Sequence, residues 1–551
     1  MHRRLWLSVA MLAAGASLLI AASLASAASN HNAAPVKKGG TWRYAVVGTG
    51  DTADPQVTYN TLTWSFEYAT AAKLMQYPDK SGAAGSRLVP EVAKRFTVSK
   101  NGKTYTFYLK NSYHFSNGAK VTAKNFAFAF HRTLSPGIQS PGQSFIQDKA
   151  STFVTSYKAA GKYKFVVHLK KPSGLFLTEM AMPFFQATPL NLPANKPIGN
   201  VTSANALPSA GPYHVVYNDP TRITTLKRNS HYKGSRPHNL SGYSITYVSD
   251  AETAYLQTIK NQYDEGPIPP DQISAVRHKY GKNKARYWVK PTVCTGYIPL
   301  NTARSSSFKS NVALRHAMNY GLSRTNFVNA AGPDAGTTWD HMLAPGLPGA
   351  AAAQKAVGHL YPAKPKYAKA RQLAKGHYGS HKLTVWYRSS GITGPKQKLL
   401  IDRDLRFMGY SESQLNFRGF PGVDIYDAIG HKGAGFDLAL SVGWCQDYPD
   451  PYDFINKLLS PLGIQKSNGD NWSFFNNAKW NAKMAKAARL TGSARAKAYA
   501  NLDVGITKGP APYAAMRTYN NLYLLSNRVN KKCLVYQGVY QDWDIAAECL
   551  K

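Results

Sequence analysis

Trp444, Cys445 and Asp447 stand almost side by side in the segment GFDLALSVGWCQDYPDPYDFINKLL, residues 435–459. An indole, a thiol and a carboxylate gathered where a strand ends make a corner that can grip a ligand. A carboxylate shielded from water forms charge-assisted hydrogen bonds with a cation, each worth about 1.5–3 kcal/mol. A second candidate is Gly48-Thr49-Gly50, followed by Asp51 and Thr52. It is no dinucleotide fingerprint, because Ala53 stands where a third glycine is needed. It reads as a loop whose backbone a ligand can approach closely. No G-x-S-x-G, H-E-x-x-H, Walker loop or metal-spaced Cys/His cluster occurs. The reading is therefore a binding protein and no enzyme, with no cofactor and no metal. His114 and His131 lie singly in aromatic segments and read as structural. His377 and His381 have the spacing of two ligands on a helix, but Gly379 between them argues for a turn.

The elements that must position the corner are legible in the pattern. Phe436, Leu438, Leu440 and Val442 alternate with Asp437, Ala439 and Ser441, which predicts one strand with one buried face. Asp450 can cap a helix starting at Pro451, with Phe454, Ile455, Leu458 and Leu459 on its apolar side. Earlier, Asn101-Gly102 signals a turn and Tyr105, Phe107 and Leu109 alternate as a strand. Thr122 can cap a helix carrying Phe126, Phe130 and Leu134 on one side. A helix is expected over 311–324, with Leu314, Ala317, Met318 and Gly321 inward, and another is expected to end at Gly409.

At 551 residues the chain exceeds a single core and implies several folding units. Arg3 and Arg4, an apolar run from Leu5 to Leu24 and Ala25-Ser26-Ala27 form a secretory signal peptide over residues 1–27, so the protein is expected to be exported. No cysteine follows that run, which leaves no N-terminal lipid anchor by the usual route. Cys294, Cys445, Cys533 and Cys549 suit disulfides in an exported protein. Three pairings are open; spacing favours Cys533–Cys549, with Cys294–Cys445 left to join distant segments. The net charge is +38, and residues 341–401 hold ten Lys and Arg and no acid. The basic residues are dispersed and no nucleic-acid motif is present, so an anionic cell-envelope surface is a better partner than nucleic acid.

The 435–459 segment resembles the corner of the family-5 extracellular solute-binding proteins of ABC importers, the oligopeptide- and dipeptide-binding group. Other stretches resemble that family in its order: Lys38 to Tyr44, Asp54-Pro55, Leu88 to Leu134, Gly211-Pro212-Tyr213, Arg228-Asn229 to Tyr232, Asn311 to Arg324, and the tail with Asn471, Arg495 and Tyr499. Asn125 replaces a usual acid there and reads as a surface change. Asn261-Gln262 stands where Gly-Glu is expected.

The resemblance implies an α/β fold of the two-lobed periplasmic-binding-protein type II kind with an extra inserted subdomain. Lobe I would comprise residues 36–65, 206–294 and 512–551, its insert 66–205, and lobe II 295–511. It also implies a short peptide held between the lobes, delivery to ABC permease subunits in the membrane, and a monomer in the periplasm or cell envelope. Asp447 would pair with the peptide's α-ammonium, Trp444 and Tyr448 would form apolar walls, and backbone from Val442 through Gly443 to Cys445 and near Gly50 to Thr52 would pair with the ligand chain. Some relatives likewise end a disulfide at the corner cysteine. Some also place an arginine where Ser441 stands, to meet the ligand carboxylate; Arg388 and Arg418 are the candidates to replace it. Nickel chelates or oligosaccharides are the alternative ligands, and a cationic envelope-binding protein without a transport role is the alternative function.

Overall fold

The computed structural model describes residues 37–303, 307–375, 382–391, 393–422 and 424–551. Contacts divide the chain into Met1–Lys37 and Lys38–Lys551, and every described strand and helix belongs to the second unit. The leader segment and the His377/His381 pair lie outside the described residues. No described helix is long and apolar enough to cross a membrane.

In chain order the strands that frame the site are β1 (Thr41–Val47), β2 (Ala93–Val98), β3 (Thr104–Leu109), β4 (Val154–Ala159), β5 (Lys164–Leu169), β6 (Tyr213–Asp219), β7 (Ile223–Arg228) and β8 (Gly242–Val248). They continue with β9 (Glu265–Gly266), β10 (Tyr287–Pro299), β11 (Leu383–Arg388), β12 (Leu415–Phe420), β13 (Leu438–Leu440), β14 (Val442–Cys445) and β15 (Tyr513–Leu525). The helices that bear on the site and its supports are α1 (Thr61–Thr70), α2 (Ala123–Leu134), α3 (Val312–Gly321), α4 (Gly394–Met408), α5 (Tyr452–Leu459) and α6 (Gly492–Lys508).

An eight-stranded mixed sheet runs β14-β10-β15-β9-β1-β8-β7-β6. A three-stranded parallel sheet, β12-β11-β13, and a four-stranded antiparallel sheet, β2-β3-β5-β4, complete the frame. The architecture is α/β. That is the fold class the family resemblance implies.

The four-stranded sheet forms because β3 alternates as read, with Tyr105, Phe107 and Leu109 buried. Helix α2 packs on it through Phe126 and Phe130, whose rings lie 6.1 and 5.4 Å from that of Phe165. Thr122 caps α2 in a reciprocal box with Asn125. Asn125 corrects the surface reading: it is buried, and its Nδ2 donates to Thr188 O at 3.0 Å.

The 436–442 segment departs from the single strand expected. Phe436 to Leu440 are all 0 % exposed, Asp437 included, because β13 pairs within a sheet covered on both faces. Asp437 accepts from Thr384 N at 2.8 Å, so its polarity is used inside. At Ser441 the backbone turns left-handed, with φ 63°, and Ser441 Oγ donates to Gln397 Oε1 of α4 at 2.7 Å. That turn passes the chain from the three-stranded sheet to the edge of the eight-stranded one. The expected pairings are present: Cys294 is bonded to Cys445 and Cys533 to Cys549.

His341 links α6 to the chain ahead of it. Its Nδ1 lies 2.8 Å from Asp503 Oδ2 and its Nε2 3.1 Å from Gly358 O, with Asp340 4.0 Å away. Burial alone would lower the His341 pKa, but the Asp503 carboxylate, by hydrogen bond and charge, raises it above the ordinary value. A raised imidazole stabilises the fold fully below its unfolded pKa of about 6.5, and that contribution fades as pH climbs through the folded value. The stability deficit of His341→Gln, measured by urea unfolding, should therefore be larger at about pH 5.5 than at about pH 8.5. A deficit equal at both would show that the pair is neutral.

Candidate functional site

Strand β14 ends the eight-stranded sheet and pairs with β10 on one side. Cys294 and Cys445 face one another with Cα atoms 4.0 Å apart, the narrow spacing of a non-hydrogen-bonded antiparallel pair. Alternation then makes Thr295 and Trp444 a hydrogen-bonded pair and returns Gly296 and Gly443 to the narrow kind. Gln446 N donates to Val293 O at 3.1 Å, in step with that alternation. The main-chain N–H and C=O groups of Gly443 and Cys445 thus point away from β10, toward an edge that no described strand covers. Gly443 is needed there, since a Cβ would lie 2.9 Å from both Thr295 O and the Tyr519 hydroxyl.

Asp447 sits where β14 gives way to α5. Helix α5 begins at Tyr452 with Pro451 at its N-cap, one residue later than the sequence suggests, and Asp450 sits ahead of the cap, its Oδ1 accepting from Tyr452 N at 2.8 Å. That leaves the Asp447 carboxylate for other partners. Its Oδ2 accepts from the Tyr59 hydroxyl at 2.6 Å, and its backbone N donates to Asp453 Oδ2 at 2.8 Å. Lys457, one helical turn beyond Asp453, forms an ion pair with Asp470 at 2.9 Å and lies 3.8 Å above the Phe145 ring. All four charged groups are buried. Burial pushes Asp447 up to about 7, against the pull of the Tyr59 hydroxyl and the Lys457 ammonium. Asp453 is raised by burial and then by the Asp447 charge. Burial would lower Lys457, but Asp470 holds it above the ordinary ammonium range.

Aromatic rings enclose the carboxylate. Tyr59 has ring neighbours at 5.2 Å (Trp64), 5.4 Å (Phe184), 6.0 Å (Trp444) and 6.3 Å (Phe145). Tyr448 meets Phe145 at 6.2 Å, and Trp444 meets Trp472 at 5.8 Å. Trp444 Nε1 is buried without an acceptor.

Of the residues singled out in the sequence, Gly443, Trp444, Cys445, Asp447 and Tyr448 share this corner. Gly50, Asp51 and Thr52 lie in the turn after β1, engaged with neighbouring chain. Gly50 N donates to Pro220 O at 2.7 Å, and Thr52 Oγ1 accepts from Asp54 N at 3.1 Å. Asp51 Oδ2 accepts from Thr58 Oγ1 at 3.0 Å, Asn60 Nδ2 at 2.9 Å and Tyr59 N at 3.3 Å. Their tie to the corner runs through Tyr59, which Asp51 holds in place. Tyr59, Asp453, Lys457 and Asp470 escaped the sequence reading. Asp453 and Lys457 carried a signal, a carboxylate and an amine four apart on a predicted helix. Tyr59 carried none.

Arg388 and Arg418 occupy different surroundings. The Arg418 guanidinium lies 4.8 Å from the Phe420 ring. Arg388 lies 5.4 Å from the Tyr426 ring, its Nε is buried without a partner, and its charge is felt by Tyr519, the residue against Gly443. A separate cavity of about 220 Å³ is lined by residues including Val47, Glu252, Asp271 and Lys396, and by none of the corner residues.

Comparison with known proteins places the chain among relatives. Residues 87–466 match the family model described as bacterial extracellular solute-binding proteins, family 5 Middle. The probable D,D-dipeptide-binding periplasmic protein DdpA of Escherichia coli (strain K12) is 23% identical over 445 residues, 80% of this chain and 81% of that protein. Heme-binding protein A of Haemophilus influenzae is 24% identical over 507 residues, 88% of this chain and 86% of that protein. Among solved structures, the periplasmic binding protein DppA from Helicobacter pylori in complex with peptide STSA superposes with a TM-score of 0.78 at 18% identity, covering 94% of this chain and 99% of that one. Names so different leave the ligand to be argued from the corner itself.

Proposed function

The chain belongs to the bacterial extracellular solute-binding proteins of family 5, and from that premise we propose that it captures short peptides between two lobes and delivers them to the membrane subunits of an ABC importer. The observation that carries the peptide reading is the open edge of β14: main-chain groups of Gly443 and Cys445 face outward and lead straight to a buried carboxylate. An extended peptide adds to such an edge as the next strand. Its α-ammonium then reaches Asp447, while Trp444, Tyr448 and Tyr59 exclude water. Main-chain bonds supply affinity without reading side chains, so sequence selectivity is low. Ligand capture needs no bond to be broken.

In this proposal residues 36–65, 206–294 and 512–551 form one lobe with the insert 66–205, and residues 295–511 form the other. The chain crosses between them near Cys294, within β10, and near Pro510, just ahead of β15, and these crossings serve as the hinge. Arg388 is the residue proposed to meet the ligand carboxylate, on the strength of its unpartnered Nε and its position by Tyr519. The Gly50–Thr52 turn contributes by carrying Tyr59 to the corner. The protein acts as an exported monomer at the cell envelope, where its charge, +36 once Arg3 and Arg4 leave with residues 1–27, attracts anionic surface polymer.

The test is a thermal-shift screen of residues 28–551 against di- to pentapeptides, nickel chelates and oligosaccharides, repeated with Asp447→Ala. A ligand at about 100 times its Kd stabilises by about 2.7 kcal/mol. Free-amine peptides should shift the wild type, and Asp447→Ala should lose about 1.5–3 kcal/mol of their binding while N-acetylated peptides lose little. Shifts from sugars or chelates alone, or equal losses for both peptide forms, would overturn the peptide assignment.

A further inference from the structure

The corner holds more negative charge than its one lysine can offset. Asp447, Asp453 and Asp470 are buried together, and Lys457, the cation among them, is committed to Asp470 at 2.9 Å. The neighbouring groups do not repair the imbalance. Asp450 is taken by Arg495 at 2.7 Å, Asp148 accepts from the Tyr452 hydroxyl, and Glu179 brings another buried carboxyl. Tyr59 and Tyr448 contribute hydroxyls only.

Asp453 Oδ2 accepts from Asp447 N at 2.8 Å, which brings the two buried aspartates together, and Asp453 Oδ1 is buried without a hydrogen-bond donor. Two carboxylates so placed cannot both stay ionised in a dry corner. We propose that Asp447 and Asp453 share one proton while the site is empty, and that a ligand's ammonium group takes that proton's place on binding. This rests on the reading of the corner as the site for a free amine. The exchange balances: one positive charge enters with the ligand, one proton leaves to buffer, and the corner's net charge is unchanged. Asp453, which need not touch the ligand, becomes the residue that makes the site select for cationic ligands. It keeps Asp447 occupied until a cation arrives. Burial pushes both carboxyls up, in keeping with a proton retained near neutral pH.

The ligand-free arm of the test is urea unfolding of the wild type and Asp453→Asn between about pH 5 and about pH 8. A proton held more tightly in the folded state makes stability fall as pH rises from the unfolded carboxylate value through the folded one. The wild type should lose stability over that range relative to Asp453→Asn, whose amide donates to Asp447 without a proton. Parallel pH slopes would overturn the shared proton.

The ligand arm is calorimetry with trialanine and N-acetyl-trialanine at about pH 7 in buffers of differing ionisation heat. Trialanine should release about one proton per molecule bound, Asp453→Asn should abolish the release, and N-acetylation should cost about tenfold or more in affinity. Trialanine binding with no proton release overturns the exchange. If neither peptide binds, the peptide reading fails, while the unfolding arm still decides the shared proton. Should Asp453→Asn not fold, Tyr59→Phe serves instead. Loss of the hydroxyl that favours the ionised carboxylate should move proton release to higher pH, and an unmoved profile counts against the proposal.

Discussion

Replacing Arg132 with alanine will cost about 3–5 kcal/mol of folding stability, the loss expected when one partner of a buried ion pair is removed. Arg132 and Asp54 are both fully buried, and the guanidinium's three nitrogens reach four acceptors: Asp54 Oδ2, Gln56 Oε1 at 2.8 Å, Pro193 O and Lys196 O at 3.5 Å. With Arg132 gone, Asp54 keeps only backbone donors, Gln56 N at 3.0 Å and Ile198 N at 2.9 Å, for a charge that water cannot reach. Lysine will rescue little, because one ammonium cannot serve three directions fixed by a planar fork. The consequence extends to the site. Asp54 lies in the turn between Asp51 and Tyr59, and its carbonyl accepts from Thr58 N at 3.0 Å. Loosening that turn frees Tyr59, the group that holds Asp447 from across the corner. Urea unfolding should therefore show the full loss, and ligand affinity should fall although Arg132 touches no corner residue. A loss below about 1 kcal/mol would mean the Asp54 turn stands without its ion pair.

Arg132 and Asp54 also show how far the sequence could be read. Each was visible in a family-like segment, the one closing a helix and the other opening a Pro turn, yet nothing along the chain said that they meet. The same limit applies to the corner. Alternating apolar residues, a Pro-rich turn and a capped helix made residues 435–459 legible as strand, corner and helix. What period-2 reasoning missed was Asp437, buried on the second face of β13, and the left-handed Ser441 that splits the strand in two. A polar residue in alternation reads as solvent-facing unless a second layer covers it, and that layer is supplied by distant segments. Asn125 failed in the same way. Its partner, Thr188 O, lies 63 residues away. Asp447 was legible because strand and cap announce their junction locally, whereas Tyr59 reaches it from 388 positions earlier.

Removing the Cys294–Cys445 bridge by a double alanine substitution should cost more than removing Cys533–Cys549, and the first removal should weaken ligand binding more than the second. The two bridges span 151 and 16 residues. In the chain-entropy account a loop near the first length contributes about 5 kcal/mol and one near the second about 3. The ordering of the pair is a firmer expectation than either value, since part of each loss returns through residual structure in the unfolded chain. The functional difference follows from position. Strand β14 carries the main-chain groups proposed to pair with the ligand, and it is fastened to the sheet by a short ladder with β10 and by this bridge. An edge strand released at Cys445 must be ordered again each time a ligand adds to it, so affinity falls along with stability. The Cys533–Cys549 loop fastens the C-terminal segment, which meets the corner at Gln446, whose Nε2 donates to Gly538 O at 3.2 Å and Val539 O at 3.1 Å, but carries none of the main-chain groups proposed to pair with the ligand. Urea unfolding of both double variants gives the first comparison, and calorimetry with one peptide gives the second. Loss of stability in the Cys294/Cys445 variant with affinity unchanged would mean that the ligand does not pair with β14, and the peptide would have to be sought on another edge.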